Sequence, residues 1–377
     1  MNVRQLVWKT DSGWEPSGPS DNGISPQLIL AFWSVETESV TEPLSDLKAS
    51  YPNASIMGCS TSGEIIGVEV HDGTFSATLV EFESATVKGA KVRVADHVDS
   101  MQVGVKLAES LPFAGLRHVL VLSDGLQVNG SDLAKGLINT LPDTVSITGG
   151  LAGDGDRFQS TAVVLGDVPE EGVVAAVGLY GDSLHIGYGS KGGWDAFGPE
   201  RLITHSEGNV LYEMDGESAL KIYESYLGKH AEELPAAGLL FPLSIRKEGS
   251  GRSLVRTILA IDRDKQTMTF AGDVPQGAYA QFMMANFDRL VDGAIDAAEA
   301  ARIGESKPGL ALLISCVGRK LILKQMVEDE VEGVQDVVGE QAVLTGFYSY
   351  GELAPFEKGG PCDLHNQTMT ITTIDED

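Results

Sequence analysis

A glycine-rich octapeptide occurs twice in this chain. Residues 58–65 read GCSTSGEI and residues 346–353 read GFYSYGEL: glycine, four residues, glycine, glutamate, aliphatic. The correspondence extends in both directions. An apolar run opened by a proline precedes each copy, PQLILAF at 26–32 and PGLALLI at 308–314. A histidine with a threonine three residues on follows each, His71 with Thr74 and His365 with Thr368. Three coincidences in one order imply an internal duplication. At 377 residues the chain is long enough for two cores. The expected fold class is α/β, two domains built from repeated strand-helix-strand-strand units.

The local patterns place these units. Residues 27–34 are continuously apolar, as a strand buried on both faces must be. Thr41-Glu42-Pro43 starts a helix, with Leu44, Leu47 and Tyr51 at helical spacing. Residues 54–58 form a second strand into the glycine corner, and 74–82 alternate as another strand. A weaker third copy runs from 117 to 166, with its corner at GGLAGDG (149–155) and no Gly-Glu pair, so the unit is expected twice in the N-terminal half. Residues 173–180 and 183–189 add two strands. GGWDAFGP at 192–199 breaks the pattern, and an amphipathic helix follows it at 219–227, ended by Gly228. A long helix is expected from about 276 to 303. The domain division that follows is an exposed leader at 1–25, an N-terminal domain at 26–198 and a C-terminal domain at 199–377.

Charge and cysteine content exclude several function classes. With 27 basic against 54 acidic residues the formal net charge is −27, which repels nucleic acid and anionic lipid. No apolar run approaches the roughly 20 residues of a membrane span, and the first ten residues lack the pattern of a secretion signal. A cytoplasmic location is expected. Cys59, Cys316 and Cys362 form no CxxC pair, which argues against a disulfide scaffold, a cysteine zinc site and a c-type haem.

Glycines at both ends of a corner let backbone N–H groups face a ligand where side chains would obstruct it. The ligand contacts expected there are Cys59, Ser60, Thr61, Gly63 and Glu64 in one copy, and Tyr348, Tyr350, Gly351, Glu352, His365 and Asn366 in the other. Gly149 and Gly150 join them from the weaker copy. If the two corners face each other, one shared cavity has a small polar wall and an aromatic wall. The plainer alternative is a pair of tight turns in which Glu64 and Glu352 cap backbone N–H groups. A catalytic alternative uses Cys59 as nucleophile or the two glutamates as an acid-base pair. His365 among Tyr348 and Tyr350, or His205, would serve as an axial haem ligand. The loop at 149–155 lacks calcium-loop spacing and is read as a turn.

Taken in order, GCSTSGEI, GGLAGDG with Phe158 and Thr161, SEGNVLYEMDG at 206–216, GFYSYGELAP at 346–355 and CDLHNQTMT at 362–370 resemble the characteristic segments of FIST proteins. That family is built of an N-terminal and a C-terminal FIST domain, and the resemblance spans nearly the whole chain. It implies a sensory, small-ligand-binding role, with amino acids among the ligands proposed for the family. It also implies output through a separate signalling partner. The NosP-like nitric-oxide-sensing branch binds haem and regulates a histidine kinase, which would imply haem b as cofactor.

Overall fold

The computed structural model describes residues 1–377 apart from 17, 20–22, 36, 38–39, 235 and 305–306. Three apolar runs of the sequence form the central strands of three sheets: Leu28–Ser34, Leu116–Ser123 and Leu310–Cys316. Each is buried on both faces, and alternate residues serve two cores. Leu28, Leu30 and Phe32, with Leu120, Leu122, Leu310, Leu312 and Ile314, point into one central core shared by the three sheets. The intervening residues pack outward: Ile29, Ala31 and Trp33 in one outer core, Val119 and Val121 in the second, Ala311 and Leu313 in the third.

The body of each sheet is built by one repeated unit. In the first, Leu28–Ser34 leads through α1 (Thr41–Ser50) to a parallel second strand, Ser55–Thr61, then the glycine corner, and an antiparallel return strand, Phe75–Glu81. A lead strand, Asn2–Lys9, pairs with the return strand and buries Leu6 and Trp8. The segment expected as a leader thus supplies a strand, because alternate apolar residues there complete the sheet face; positions 17 and 20–22 of that segment lie outside the described residues.

The second unit repeats the order. Lead strand Thr86–Arg93 and α2 (Ser100–Glu109) precede Leu116–Ser123, α3 (Gly130–Ile138), Ser146–Leu151 and return strand Val173–Tyr180. The weak copy seen in the sequence is therefore a full structural copy. The lead strand of the third unit is Leu184–Lys191. There the chain leaves for a separate eight-stranded antiparallel sheet between Asp195–Glu207 and Tyr279–Met284, whose own core includes α4 (Ala219–Leu227), Tyr223, Phe270 and Phe282. It returns at α5 (Phe287–Ala300) and completes the unit with Leu310–Cys316, α6 (Val317–Leu323), α7 (Val327–Val338), Val343–Ser349 and return strand Met369–Glu376. The insertion occupies the place of residues 94–99 in the second unit.

One expected element is corrected here. The helix expected over 276–303 begins at Phe287, capped by the Asn286 side chain on Arg289 N, and Tyr279–Met284 is a strand. Its Ala280 and Phe282 alternate inward against Asp195–Glu207 and Leu243–Arg246.

The units close into a ring through their corners. After its corner, unit one adds Glu64–Ile66 to the second strand of unit three, at 345–347. Unit three adds Gly351–Pro355 to unit two, at 149–151, and unit two adds Val163–Leu165 to unit one, at 57–59. Among the described residues no helix is long and apolar enough to cross a membrane.

Candidate functional site

Three glycines of the second strands, Gly58, Gly149 and Gly346, face the backbones of Ala31, Val121 and Leu313 on the neighbouring parallel strand. A Cβ at any of them would overlap the carbonyl oxygen opposite, so glycine is required by close strand approach. Beyond these positions the corners meet and knit together. Ser62 N donates to Tyr348 O, Tyr348 N to Gly63 O, Tyr350 N to Leu151 O and Gly153 N to Ser60 O. Ser62 Oγ accepts from Gly155 N at 3.0 Å, and Ser60 Oγ accepts from Ala162 N at 3.0 Å.

The corner carboxylates follow one scheme. Glu64 accepts from the Thr61 hydroxyl and from Thr74 through both its N–H (3.2 Å) and its hydroxyl (2.6 Å). Glu352 accepts from Ser349 Oγ at 2.6 Å and from Thr368 N and Oγ1 at 3.3 and 2.9 Å. Each stands across its hairpin from a histidine, Glu64 from His71 and Glu352 from His365. Both are fully buried, and burial pushes Glu64 up to about 7 and Glu352 up to about 8. In the second unit Asp154 takes the same structural duty, accepting from the N–H groups of Phe158, Gln159 and Ser160 and from the Tyr350 hydroxyl. Burial alone would raise it, but the Tyr350 hydroxyl and the three amides outweigh that and hold it below the usual carboxylate range.

The corner residues therefore satisfy one another. Cys59 lies in the central core, and burial, with Glu64 beside it, drives its thiol far up, away from the nucleophilic form. Ser60 bonds unit two and Gly63 bonds unit three through their backbones, Glu64 pairs with Phe347 of unit three, Thr61 bonds Glu64 within its own corner, and Gly149 and Gly150 lie in the strand pairing. Tyr348 is buried under α6 and α7, where its hydroxyl donates to Glu330 at 2.7 Å. Glu330 also receives Arg319 Nη2 at 2.6 Å, a fully buried ion pair. Arg319 donates further to the carbonyls of Gly192 and Leu290, at the two crossings into the inserted sheet.

A cavity of about 350 Å³ opens beside the third corner, a size typical of small-molecule sites. The ring contributes the loop 125–130 entering α3, Leu151, Phe158, Tyr350 and the first turn of α6 at 316–318. The inserted sheet contributes Asn209, Thr257, Leu259 and 270–272, with Leu239 from the segment between its strands. Among the described residues, the lining carries no ionisable group apart from Tyr350 and Cys316. Leu126, Phe158 and Leu259 remain 39%, 44% and 43% exposed at its edge, and Phe158 stacks on Tyr350 at 4.5 Å.

Among the described residues, several polar groups around this cavity lack partners. The Thr257 hydroxyl is buried and unbonded, as are both amide atoms of Asn366 and of Gln367, residues 1% and 0% exposed. A Cβ on Gly318 would lie 2.7 Å from Gln367 Oε1, and one on Gly351 would lie 3.5 Å from Asn366 Nδ2, so the amides stand behind the walls at 316–318 and 350–351. Gln367 has a φ of 61° and Phe158 a φ of 51°, a left-handed conformation that non-glycine residues adopt at a cost. The equivalent of Gln367 in unit one is Gly73, with a φ of 80°.

Of the residues expected on a ligand, Tyr350 lines the cavity, and Gly351 and Asn366 flank it. Gln367, Thr257 and Phe270 were not singled out by sequence. Alignment of the repeats carried one signal, a glutamine where its counterpart has the turn glycine; the other two belong to the inserted sheet, which has no counterpart. The histidines expected as haem ligands lie away from this cavity. His365 Nε2 bonds Ala354 O at 3.0 Å, and burial drives its pKa down to about 4. His205 stacks on Tyr212 at 4.4 Å, His71 bonds Glu69, and no histidine lines the cavity. Among the described residues no group of three histidines, cysteines or carboxylates could hold a metal ion.

An uncharacterised protein of Methanocaldococcus jannaschii is 22% identical over 81% of this chain. The chain spans 63% of the length of that relative. A crystal structure of cyanuric acid hydrolase from A. caulinodans covers 100% of this chain and 99% of that one at 9% identity, with a TM-score of 0.30. Residues 27–217 match the FIST N domain and residues 219–355 the FIST C domain, the boundary falling inside the inserted sheet just before α4. These are sensory domains of signal transduction, and the chain belongs to the FIST family.

Proposed function

We propose that this protein is a sensory module that holds an uncharged small molecule between the ring and the inserted sheet and passes its occupancy to a separate signalling protein. The observation that carries this reading is the set of amides of Asn366 and Gln367, without partners among the described residues, behind the glycine-built wall of a neutral, apolar-edged cavity. Buried polar groups without partners cost about 1 to 3 kcal/mol each, and strained backbone positions cluster at active sites and ligand clamps. A ligand with an apolar face and a hydrogen-bonding edge would satisfy them, with its apolar face on Tyr350, Phe158 and Phe270. Neutral amides offer both donors and acceptors, and uncharged amino-acid derivatives fit that requirement.

The cavity has one wall on each body, so occupancy favours one arrangement of the inserted sheet against the ring. A coupling of about 1 to 3 kcal/mol is the usual scale for such a link. The buried, hydrogen-bonded corners and the raised Cys59 thiol favour binding over catalysis, and the histidine placements favour an organic ligand over haem.

The test is a ligand-observed NMR and thermal-shift screen of uncharged metabolites against the wild type, Gln367→Gly and Asn366→Ala. Hits are expected to bind the wild type and to weaken in both variants. Hits that bind all three equally would refute this location. Haemin titration is expected to give no saturable Soret band; a saturable band lost in His365→Ala or His205→Ala would restore the gas-sensing reading.

A further inference from the structure

We propose that a second cavity, distinct from the one above, binds a small organic monocarboxylate. It has a volume of about 360 Å³ and lies between α3, the hairpin of Leu243–Arg246 with Ser253–Arg256, and the loop at 356–363. In a chain of net charge −27, four cationic side chains converge on it: Lys135, Lys247, Arg252 and Arg256. Two of these are neutralised, Lys135 by Asp132 and Asp273 at 2.8 and 2.7 Å, and Arg252 by Glu357.

Among the described residues, the other two lack a hydrogen-bonded carboxylate. Arg256 is 3% exposed, and its hydrogen bonds all go to backbone carbonyls: Asp273 O at 3.1 Å, Leu364 O at 2.9 Å and Val255 O at 3.3 Å. A buried guanidinium is costly unless an anion offsets it, and Asp363 and Asp273 act on it only through space. Lys247 is exposed at the rim and forms no ion pair among the described residues. The rest of the lining is apolar, with Ile138, Ile245 and Leu254 among it, and the ring of Phe356 lies 5.8 Å from the Arg252 guanidinium.

This combination selects a ligand class. Nε and Nη1 of Arg256 are taken up by backbone carbonyls, which leaves Nη2 to donate to one carboxylate oxygen, with Lys247 at the rim for the other, and the aliphatic side chains accept an apolar body. A dianionic phosphate would meet Asp273 and Asp363 in the same cavity, so a single negative charge is the better match.

Phenylacetate is the probe, with phenylacetamide as its uncharged isostere and inorganic phosphate as the second anion. Saturation-transfer NMR on the full chain is expected to show saturable millimolar binding of phenylacetate alone. Lys247→Glu, at an exposed position that leaves the fold intact, is expected to weaken it about tenfold or more. Asp363→Asn is expected to strengthen it. Equal binding of the acid and its amide, tighter binding of phosphate, no saturable binding of phenylacetate, or unchanged affinity in Lys247→Glu would each overturn the assignment. Because the amides of Asn366 and Gln367 stand behind the walls of the first cavity, at 316–318 and 350–351, and those walls do not line this one, Gln367→Gly is expected to retain phenylacetate, which separates this site from the first.

Discussion

Gln367 turns the chain where the equivalent unit has Gly73, and it keeps a buried amide there that has no partner among the described residues. Gln367→Gly should therefore relieve backbone strain worth about 1 kcal/mol and raise the melting temperature by a few degrees while weakening ligand binding; a lower melting temperature would make the side chain structural. Glu352 predicts a pH dependence. Its folded pKa of about 8 lies above the ordinary 4.5, so its neutral form is the one the fold favours. That contribution is complete below about pH 4.5, declines as pH rises toward about 8, and is level beyond. Against Glu352→Gln, urea denaturation at about pH 5 and about pH 9 should show the wild type losing on the order of a few kcal/mol of relative stability. Such residues are half legible in sequence: repetition marks Glu352 and its Thr368 partner, but burial comes from units that sequence does not place.

At the scale of elements, the glycine corners were readable because the duplication printed them twice, and their reason is steric. Gly58→Ala puts a methyl group into the Ala31 carbonyl across the strand pair, and about 4 kcal/mol or more of destabilisation is expected, with loss of soluble protein as the readout. The strand Tyr279–Met284 was not readable as one, since its run YAQFMM joins a helical sequence directly and only pairing with Asp195–Glu207 decides between them. Arg319 in α6 shows what short elements hold. Arg319→Met leaves Glu330 buried without its partner and should cost about 3 to 5 kcal/mol by denaturant titration. Hydrogen exchange should then speed up around Gly192 and Leu290, whose carbonyls Arg319 binds.

Over the whole molecule, the ring and the inserted sheet are separable by design of the chain path. Replacing 195–284 with a connection of the length of 94–99 should leave a folded ring by circular dichroism and remove binding at the first cavity, one wall of which it deletes. An unfolded product would show that the inserted sheet is needed for ring stability. The threefold plan was visible in sequence as two strong copies and a weak one, whereas the cavity was not, because its walls are drawn from residues more than 200 positions apart. Each unit lends a strand to another and receives one in turn, so no seam runs through the ring along which it could open. Thermal agitation and ligand alike must spend their leverage elsewhere. The inserted sheet, joined at two crossings clamped by one guanidinium, is where displacement can accumulate, and a signal leaving this molecule would be read as the swing of that panel against a rigid frame.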